Sequence, residues 1–253
     1  MRLYTEQNLA ADQAVALTAA QAHYLRNVMR ANVGDNVLLF NGRDGEWSSR
    51  IDTIRKGAGT LLPQRQRRPQ RPEPGPWLLF APLKRAPLDF LVQKSVELGA
   101  AALQPIQTAN TNTGRINLDR MQANAIEAAE QCERLMVPEV RPAQKYTFLL
   151  ENWPKDRYLL VCAEFGAAQP IDLMLRNAPP DSAWGILTGP EGGFLPSELE
   201  LLRNRPFTRM VSLGPRILRA ETAAIAALTC WQSVLGDWHE GRPNSHEPST
   251  PKL

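Results

Sequence analysis

The stretch Leu187-Thr188-Gly189-Pro190-Glu191-Gly192-Gly193-Phe194 decides the fold, together with Ser212-Leu213-Gly214-Pro215-Arg216-Ile217-Leu218-Arg219-Ala220-Glu221-Thr222-Ala223 further along. Each is an apolar run that breaks into a Gly/Pro turn and then opens a helix, the way strand ends become ligand sites in α/β folds. Trp184 to Thr188 and Arg209 to Leu213 read as buried strands. Ser197 is the expected N-cap of a helix beginning at Glu198, and Ala220 to Leu235 reads as a helix with Ala224, Leu228, Trp231 and Leu235 on one face. Two such strand ends predict one shared pocket. The pattern is neither a GxGxxG dinucleotide loop with its following acidic residue nor a GxxxxGK[ST] phosphate loop.

Upstream, strands over Trp77–Ala81, Ala101–Ile106 and Tyr158–Ala163 alternate with helices over Leu88–Leu98 and Leu118–Leu135. That alternation predicts a parallel α/β sheet in a domain spanning residues 77–236. Residues 1–70 differ: a short helix over Ala19–Met29 and strands over Asn36–Phe40 and Glu46–Ile51, parted by a Gly-containing turn, predict a small β-barrel. Between the two, Pro63 to Pro76 carries Arg65, Arg67, Arg68 and Arg71 among prolines, and reads as an irregular boundary. It is either a solvated linker or a hinge that contacts phosphates. Residues 237–253 are polar and proline-bearing, as expected of a flexible tail.

With 253 residues and 43% apolar content the chain can bury a sizeable core, and a formal charge of +3 does not by itself announce nucleic acid. Cys132, Cys162 and Cys230 lack CxxC spacing and His23, His239 and His246 are scattered, so no metal site is expected and the thiols read as reduced core residues. No apolar run approaches membrane-spanning length and no signal segment opens the chain, so the expectation is a cytoplasmic protein without membrane contact.

The paired segments GPEGGF and LGPRILRAETA resemble those of the bacterial 16S ribosomal RNA uridine-N3 methyltransferases of the SPOUT superfamily. The likeness extends to His23-Tyr24-Leu25-Arg26-Asn27-Val28-Met29-Arg30, Gly34-Asp35, Gln93 to Gly99 and Glu130-Gln131-Cys132-Glu133-Arg134. It implies a methyltransferase domain tied in a trefoil knot, a rare exception to unknotted topology. It also implies a PUA-like N-terminal RNA-binding domain, a homodimer, and 16S ribosomal RNA or the 30S subunit as partner. S-adenosyl-L-methionine is the implied cofactor, held around Leu187, Thr188, Gly189, Glu191, Gly192, Gly193, Leu213, Gly214, Ile217, Leu218, Arg219 and Thr222.

Uridine N3 becomes nucleophilic when its proton leaves, which calls for a base or for cations that stabilise the resulting anion. Arg134 and Arg219 are the candidate cations. Glu191 and Glu221 are candidate bases, each of which could instead pair with an arginine or cap a helix. Arg26, Arg30, Gln131 and Arg134 are the candidate RNA contacts, Arg134 having a salt bridge to Glu130 as its structural alternative. One segment departs from the family pattern: Gln107 to Thr113 replaces a Ser-Glu-Arg-Ser-like stretch. Two other functions fit the same residues: a knotted methyltransferase acting on ribose 2′-OH or another base, and a non-catalytic RNA-binding assembly factor.

Overall fold

The computed structural model describes residues 1–111, 116–163, 168–179 and 182–239. The N-terminal unit comprises β1 (Arg2–Tyr4), β2 (Val15–Ala16), α1 (Ala19–His23), a π-helical turn (Tyr24–Val28), β3 (Asn36–Phe40), β4 (Glu46–Arg55) and β5 (Ala58–Arg68). Its strands lie in the order β1-β3-β4-β5-β2, antiparallel except for the β1–β3 pair. Thr18 opens α1 through a capping box with Gln21, which satisfies two of the otherwise orphaned backbone donors. Leu3, Val15, Leu25, Val37, Leu39, Ile51 and Leu61 form the core beneath the sheet.

The second unit contains β6 (Trp77–Phe80), α2 (Arg85–Glu97), β7 (Ala102–Gln107), α3 (Leu118–Gln131), β8 (Glu139–Val140), β9 (Gln144–Lys145) and α4 (Tyr146–Glu151). It continues with β10 (Arg157–Cys162), β11 (Gln169–Pro170), α5 (Ile171–Arg176), β12 (Ala183–Thr188), α6 (Pro196–Arg203), β13 (Thr208–Ser212) and α7 (Ala220–Val234). The sheet runs β11-β13-β10-β12-β6-β7-β8, with every pair parallel and β9 adding to β7. Leu78, Phe80, Leu160, Trp184 and Ile186 point to one core and Leu79, Leu159, Val161 and Leu187 to another. A parallel sheet covered on both faces requires such unbroken apolar runs, and the sequence supplies them.

Four expectations need correction. β5 passes through Pro63 and continues to Arg68, so the irregular segment begins later than expected. Pro63 is tolerated because it lies opposite Ser49 next to a register irregularity, where the ladder is already interrupted. Leu195, rather than Ser197, occupies the N-cap of α6, with Pro196 at the first helical position, where its missing N–H costs nothing. The chain past α7 begins with a 3₁₀ turn over Asp237–His239; residues 240–253 of the expected tail lie outside the described residues. Finally, α3 ends at Gln131, with Glu133 in the left-handed region at φ 63°, so Arg134 is not on the helix.

The early end of α3 has a physical cause in the first unit. The Arg2 guanidinium donates to the carbonyls of Ala129 (2.6 Å) and Arg134, and Arg68 donates to that of Glu133 (2.9 Å). Cations that satisfy the last carbonyls of a helix also complement its negative end. Both arginines converge on Glu46, at 2.8 Å from Arg2 and 2.7 Å from Arg68. Arg2 also lies 3.6 Å from the centroid of the Phe40 ring, and Phe40 is itself fully buried in the second unit's core. Burying such a ring contributes about 1.5–3 kcal/mol. The junction between the units is therefore a buried charge cluster seated beside an apolar plug. The Pro-rich segment joins it, since Glu73 accepts from Arg134 Nε (3.0 Å) and from the Leu135 N–H (2.8 Å).

Burial pushes the Glu46 carboxyl upward, but hydrogen bonds and charge from Arg68 and Arg2 outweigh it and hold the group below the usual carboxylate range. Burial lowers the Arg2 guanidinium from its ordinary value, yet a guanidinium stays protonated, so within this cluster Glu46 is the group that responds to acid. A carboxyl whose folded-state pKa is depressed contributes stability above its unfolded pKa and loses it as pH falls through the folded value. Glu46→Gln leaves two buried arginines without a countercharge and should cost about 3–5 kcal/mol in urea unfolding at pH 7. The difference from the parent should shrink as the pH falls below the ordinary carboxylate range.

Candidate active site

Spatial order and chain order diverge where the two glycine-rich stretches meet. β10 lies between β12 and β13, with Cys162 level with both Thr188 and Val211. Three carboxyl ends therefore stand side by side, and the loops leaving β12 and β13 rise on either side of the end of β10. They enclose a cavity of about 380 Å³. Cys162 and Ala163 line it from β10, Gly189, Gly192, Gly193 and Phe194 from the first loop, and Leu213 to Leu218 from the second, with Leu199 of α6 and Ala220 and Ala223 of α7 completing it. The walls are largely apolar or backbone, and Arg216 is the charged side chain among the lining residues.

The first loop is held from several sides. The Gly193 N–H donates to the Pro190 carbonyl at 2.8 Å, and Gly193 has φ 70°, where a residue with a Cβ is strained. Gly189 lacks a Cβ for a different reason: one placed there would stand 2.8 Å from the Phe194 ring, which folds back against the strand end. Asn110 Nδ2 donates to the carbonyls of Gly192 (3.2 Å) and Gly193 (3.1 Å). The buried Glu198 carboxylate accepts from the backbone N–H of Ala109 and of Leu195, both at 2.9 Å. The segment that departs from the family pattern thus supplies a buttress for the loop; Asn112 and Thr113 of it lie outside the described residues.

Of the residues expected around a cofactor, the structure brings Gly189, Gly192, Gly193, Leu213, Gly214, Ile217 and Leu218 together on the cavity wall. Leu187 belongs to the core behind it, and Glu191, Arg219 and Thr222 are exposed outside the lining. Thr188 is buried just below Gly189, and its hydroxyl has no partner. Cys162, Ala163, Phe194, Leu199, Pro215, Ala220 and Ala223 were not anticipated as lining residues. The apolar strand ending at Ala163 was a signal for the first two, but only the strand order places that end between the loops.

Among the candidate catalytic groups, Glu221 lies in the first turn of α7, where a carboxylate complements the helix dipole, and Arg219 occupies the N-cap position without a capping side-chain bond. Arg134 stands elsewhere. The salt bridge to Glu130 does not form: Glu130 accepts from the Tyr4 N–H (2.8 Å), and Arg134 pairs with Glu73 while donating to the carbonyls of Val96 (3.0 Å) and Ala100 (2.9 Å). Its guanidinium is occupied by interior acceptors at the junction of the two units. Gln131 ends α3, and Arg26 and Arg30 are exposed on and just after the π-helical turn.

No cluster of His, Cys, Asp and Glu among the described residues could hold a metal ion, and no helix among them is long and apolar enough to cross a membrane. Residues 72–232 match the family model of the RNA methyltransferase domain, and residues 17–62 that of the RNA methyltransferase PUA domain. The sequence is 32% identical to the ribosomal RNA small subunit methyltransferase E of Rickettsia conorii over 90% of this chain and 93% of that one. The Synechocystis protein of the same name is 31% identical over 92% and 78%. A crystal structure of a ribosomal RNA small subunit methyltransferase E from Neisseria gonorrhoeae, bound to S-adenosyl methionine, superposes with a TM-score of 0.82 at 29% identity, covering 94% of this chain and 98% of that one.

Burial pushes the Cys162 thiol up to about 12, and raises those of Cys132 and Cys230 as well. The thiolate is the reactive form, so Cys162 should be inert despite lining the cavity. At pH 8 the native protein should react slowly with a disulfide reagent, Cys162 slowest, and all 3 cysteines should titrate rapidly once the chain is unfolded. Peptide mapping after timed quenching gives the order.

Proposed function

The chain belongs to the RNA methyltransferase family that includes the ribosomal RNA small subunit methyltransferases E, and on that premise we propose that it methylates N3 of a specific uridine in 16S ribosomal RNA, with S-adenosyl-L-methionine as donor. The observation that carries this reading is the cavity shared by the loops after β12 and β13. Its residues fit the donor. The glycines leave backbone groups open to a flat ring, Leu213, Ile217 and Leu218 offer aliphatic cover, and the unpartnered Thr188 hydroxyl lies buried immediately behind Gly189. When bound, the donor supplies an electrophilic methyl on a sulfonium, and no metal is needed.

The chain's contribution is to bind, orient and exclude water, since methyl transfer depends on close in-line placement. Ile217 is 76% exposed at the cavity mouth, an unfavourable position for a large aliphatic unless substrate or a second subunit covers it. Arg219, Glu191 and Glu221 stand near the two loops, with Arg216 on the cavity wall, and could stabilise or remove charge at the uridine. Arg134 is better read as a brace of the junction, because its donors are already committed within the chain. The same reading includes a cytoplasmic homodimer that acts on 16S RNA or the 30S subunit, with the N-terminal unit contributing RNA affinity.

The wild-type protein should bind one S-adenosylmethionine per chain. Gly193→Val should weaken that binding at least about tenfold while leaving the circular dichroism spectrum unchanged, because a β-branched residue is strained at φ 70°. Unchanged affinity in calorimetry would remove the site. Incubating labelled donor with 16S RNA and digesting to nucleosides should place the label on uridine N3. Label on ribose or another base favours the neighbouring methyltransferase reading, and donor binding without transfer favours an assembly factor.

A further inference from the structure

The cavity at the strand ends leaves the most basic part of the molecule unused. Residues 1–70 hold ten Lys and Arg against six Asp and Glu, an excess larger than the formal +3 of the whole chain. Arg2 and Arg68 share Glu46, and Arg43 donates to the Glu6 carbonyl at 2.8 Å. A second cavity, of about 350 Å³, opens where the π-helical turn meets the β4–β5 hairpin; it is lined by Ala22, His23, Arg26, Asn27, Arg55, Lys56 and Gly57.

Three cations converge on this cavity and no carboxylate lines it. Among the described residues, the side chains of Arg26, Arg55 and Lys56 have neither a hydrogen-bond nor an ion-pair partner. Holding like charges together without a countercharge is unfavourable, and an anion relieves it. One wall is anchored in the core of the first unit. Ala22 and Leu25 are fully buried beneath the turn, and Asn27 hydrogen bonds to His23 Nδ1 at 2.7 Å. Arg55 ends β4 opposite Ala58, and Lys56 follows it in the Lys56-Gly57 hairpin turn, with Gly57 at φ 74°.

The backbone here is irregular in a way regular packing does not need. The Met29 N–H reaches back to the Tyr24 carbonyl in an i to i+5 bond, and Arg30 follows at φ 53°. Such π-turns and left-handed residues concentrate at functional sites. Beside the cations, Tyr24, Val28, Met29 and Val33 are large apolar side chains left in solvent, Val28 at 60% and Val33 at 63% exposure. Paired cationic and apolar surface, with an aromatic ring at its edge, suits RNA, whose phosphates meet the cations and whose unstacked bases meet the ring.

We propose that the cavity between the π-helical turn and the β4–β5 hairpin is a phosphodiester-binding cradle, in which Arg26, Arg55 and Lys56 grip the RNA backbone. This rests on the reading of the chain as an RNA methyltransferase, but the test is of binding and does not require turnover. The probe is a fluorescein-labelled, mixed-sequence single-stranded RNA of about sixteen nucleotides, titrated with the full-length chain by anisotropy across a salt series. For a protein that neutralises phosphates on a single strand, the logarithm of affinity falls with that of salt by about 0.7 per contact.

The double variant Arg55→Gln/Lys56→Gln should bind about tenfold more weakly at low salt, with the salt slope flattened by about 1 to 2. Arg55→Lys/Lys56→Arg should retain most of the affinity, because the charges survive. S-adenosylmethionine binding, measured alongside, reports that the double variant is folded. Unchanged RNA affinity and slope in a folded double variant overturn the cradle, as does a preference of the parent for a poly-glutamate peptide over RNA. Loss of methyl transfer in the parent would overturn the enzymatic reading and leave this result standing.

Discussion

The position of β10 between β12 and β13 is the constraint on which the rest of the second unit depends. Parallel strands cannot be joined by tight hairpins, so each connection must leave the sheet and return across its face. Inserting β10 between two strands that follow it in the chain brings the ends of β12 and β13 to opposite sides of Cys162 and Ala163. The separation of one strand makes a cavity rather than a contact. Leu159, Leu160 and Val161, all fully buried, anchor that middle strand to apolar layers on both faces.

The second organising interaction is electrostatic and lies away from the cavity. Glu46 draws Arg2 and Arg68 into one buried cluster, and the donors left over take the Ala129 carbonyl in the last turn of α3 and the Glu133 carbonyl just past it. Replacing such a cluster with apolar groups is often neutral for stability, so its use is better sought in geometry. It determines where α3 stops, which turns Glu133 into the left-handed region and carries Arg134 toward Glu73 instead of along the helix. The relative placement of the two units, and with it the angle between the basic pocket of the first and the strand-end cavity of the second, follows from that cluster and the Phe40 plug.

Much of this was visible in the amino-acid order. The strands β6, β7, β10, β12 and β13 fall where unbroken apolar runs predicted them, α7 begins at the predicted Ala220, and the two glycine-rich turns share one cavity. These features are local: a buried parallel strand has to be apolar throughout, and a tight turn has to carry glycine wherever φ is positive. The first unit's β3 was equally plain at Asn36–Phe40. Its β5 was not, because Pro63 reads as a break and only the irregular pairing with β4 permits it.

Local order could not disclose which groups meet across large separations. Arg134 followed a helical spacing on paper, but the helix ends early, where Arg2 takes the Ala129 carbonyl of its last turn and Arg68 that of Glu133 just beyond, and no periodicity encodes that. Gly189 looked like an opening for a ligand, whereas its missing Cβ also makes room for Phe194. Asn110 and Glu198 showed no motif, and they act by bridging segments that only the folded sheet brings together. The sequence by itself determined the longer apolar strands, the helices between them, the two-part organisation and the family, since each follows from side-chain pattern and backbone preference along a short window. The tertiary structure alone decided the strand order, the junction and the lining of the cavity, because those depend on which distant charges and apolar faces find partners when water is excluded.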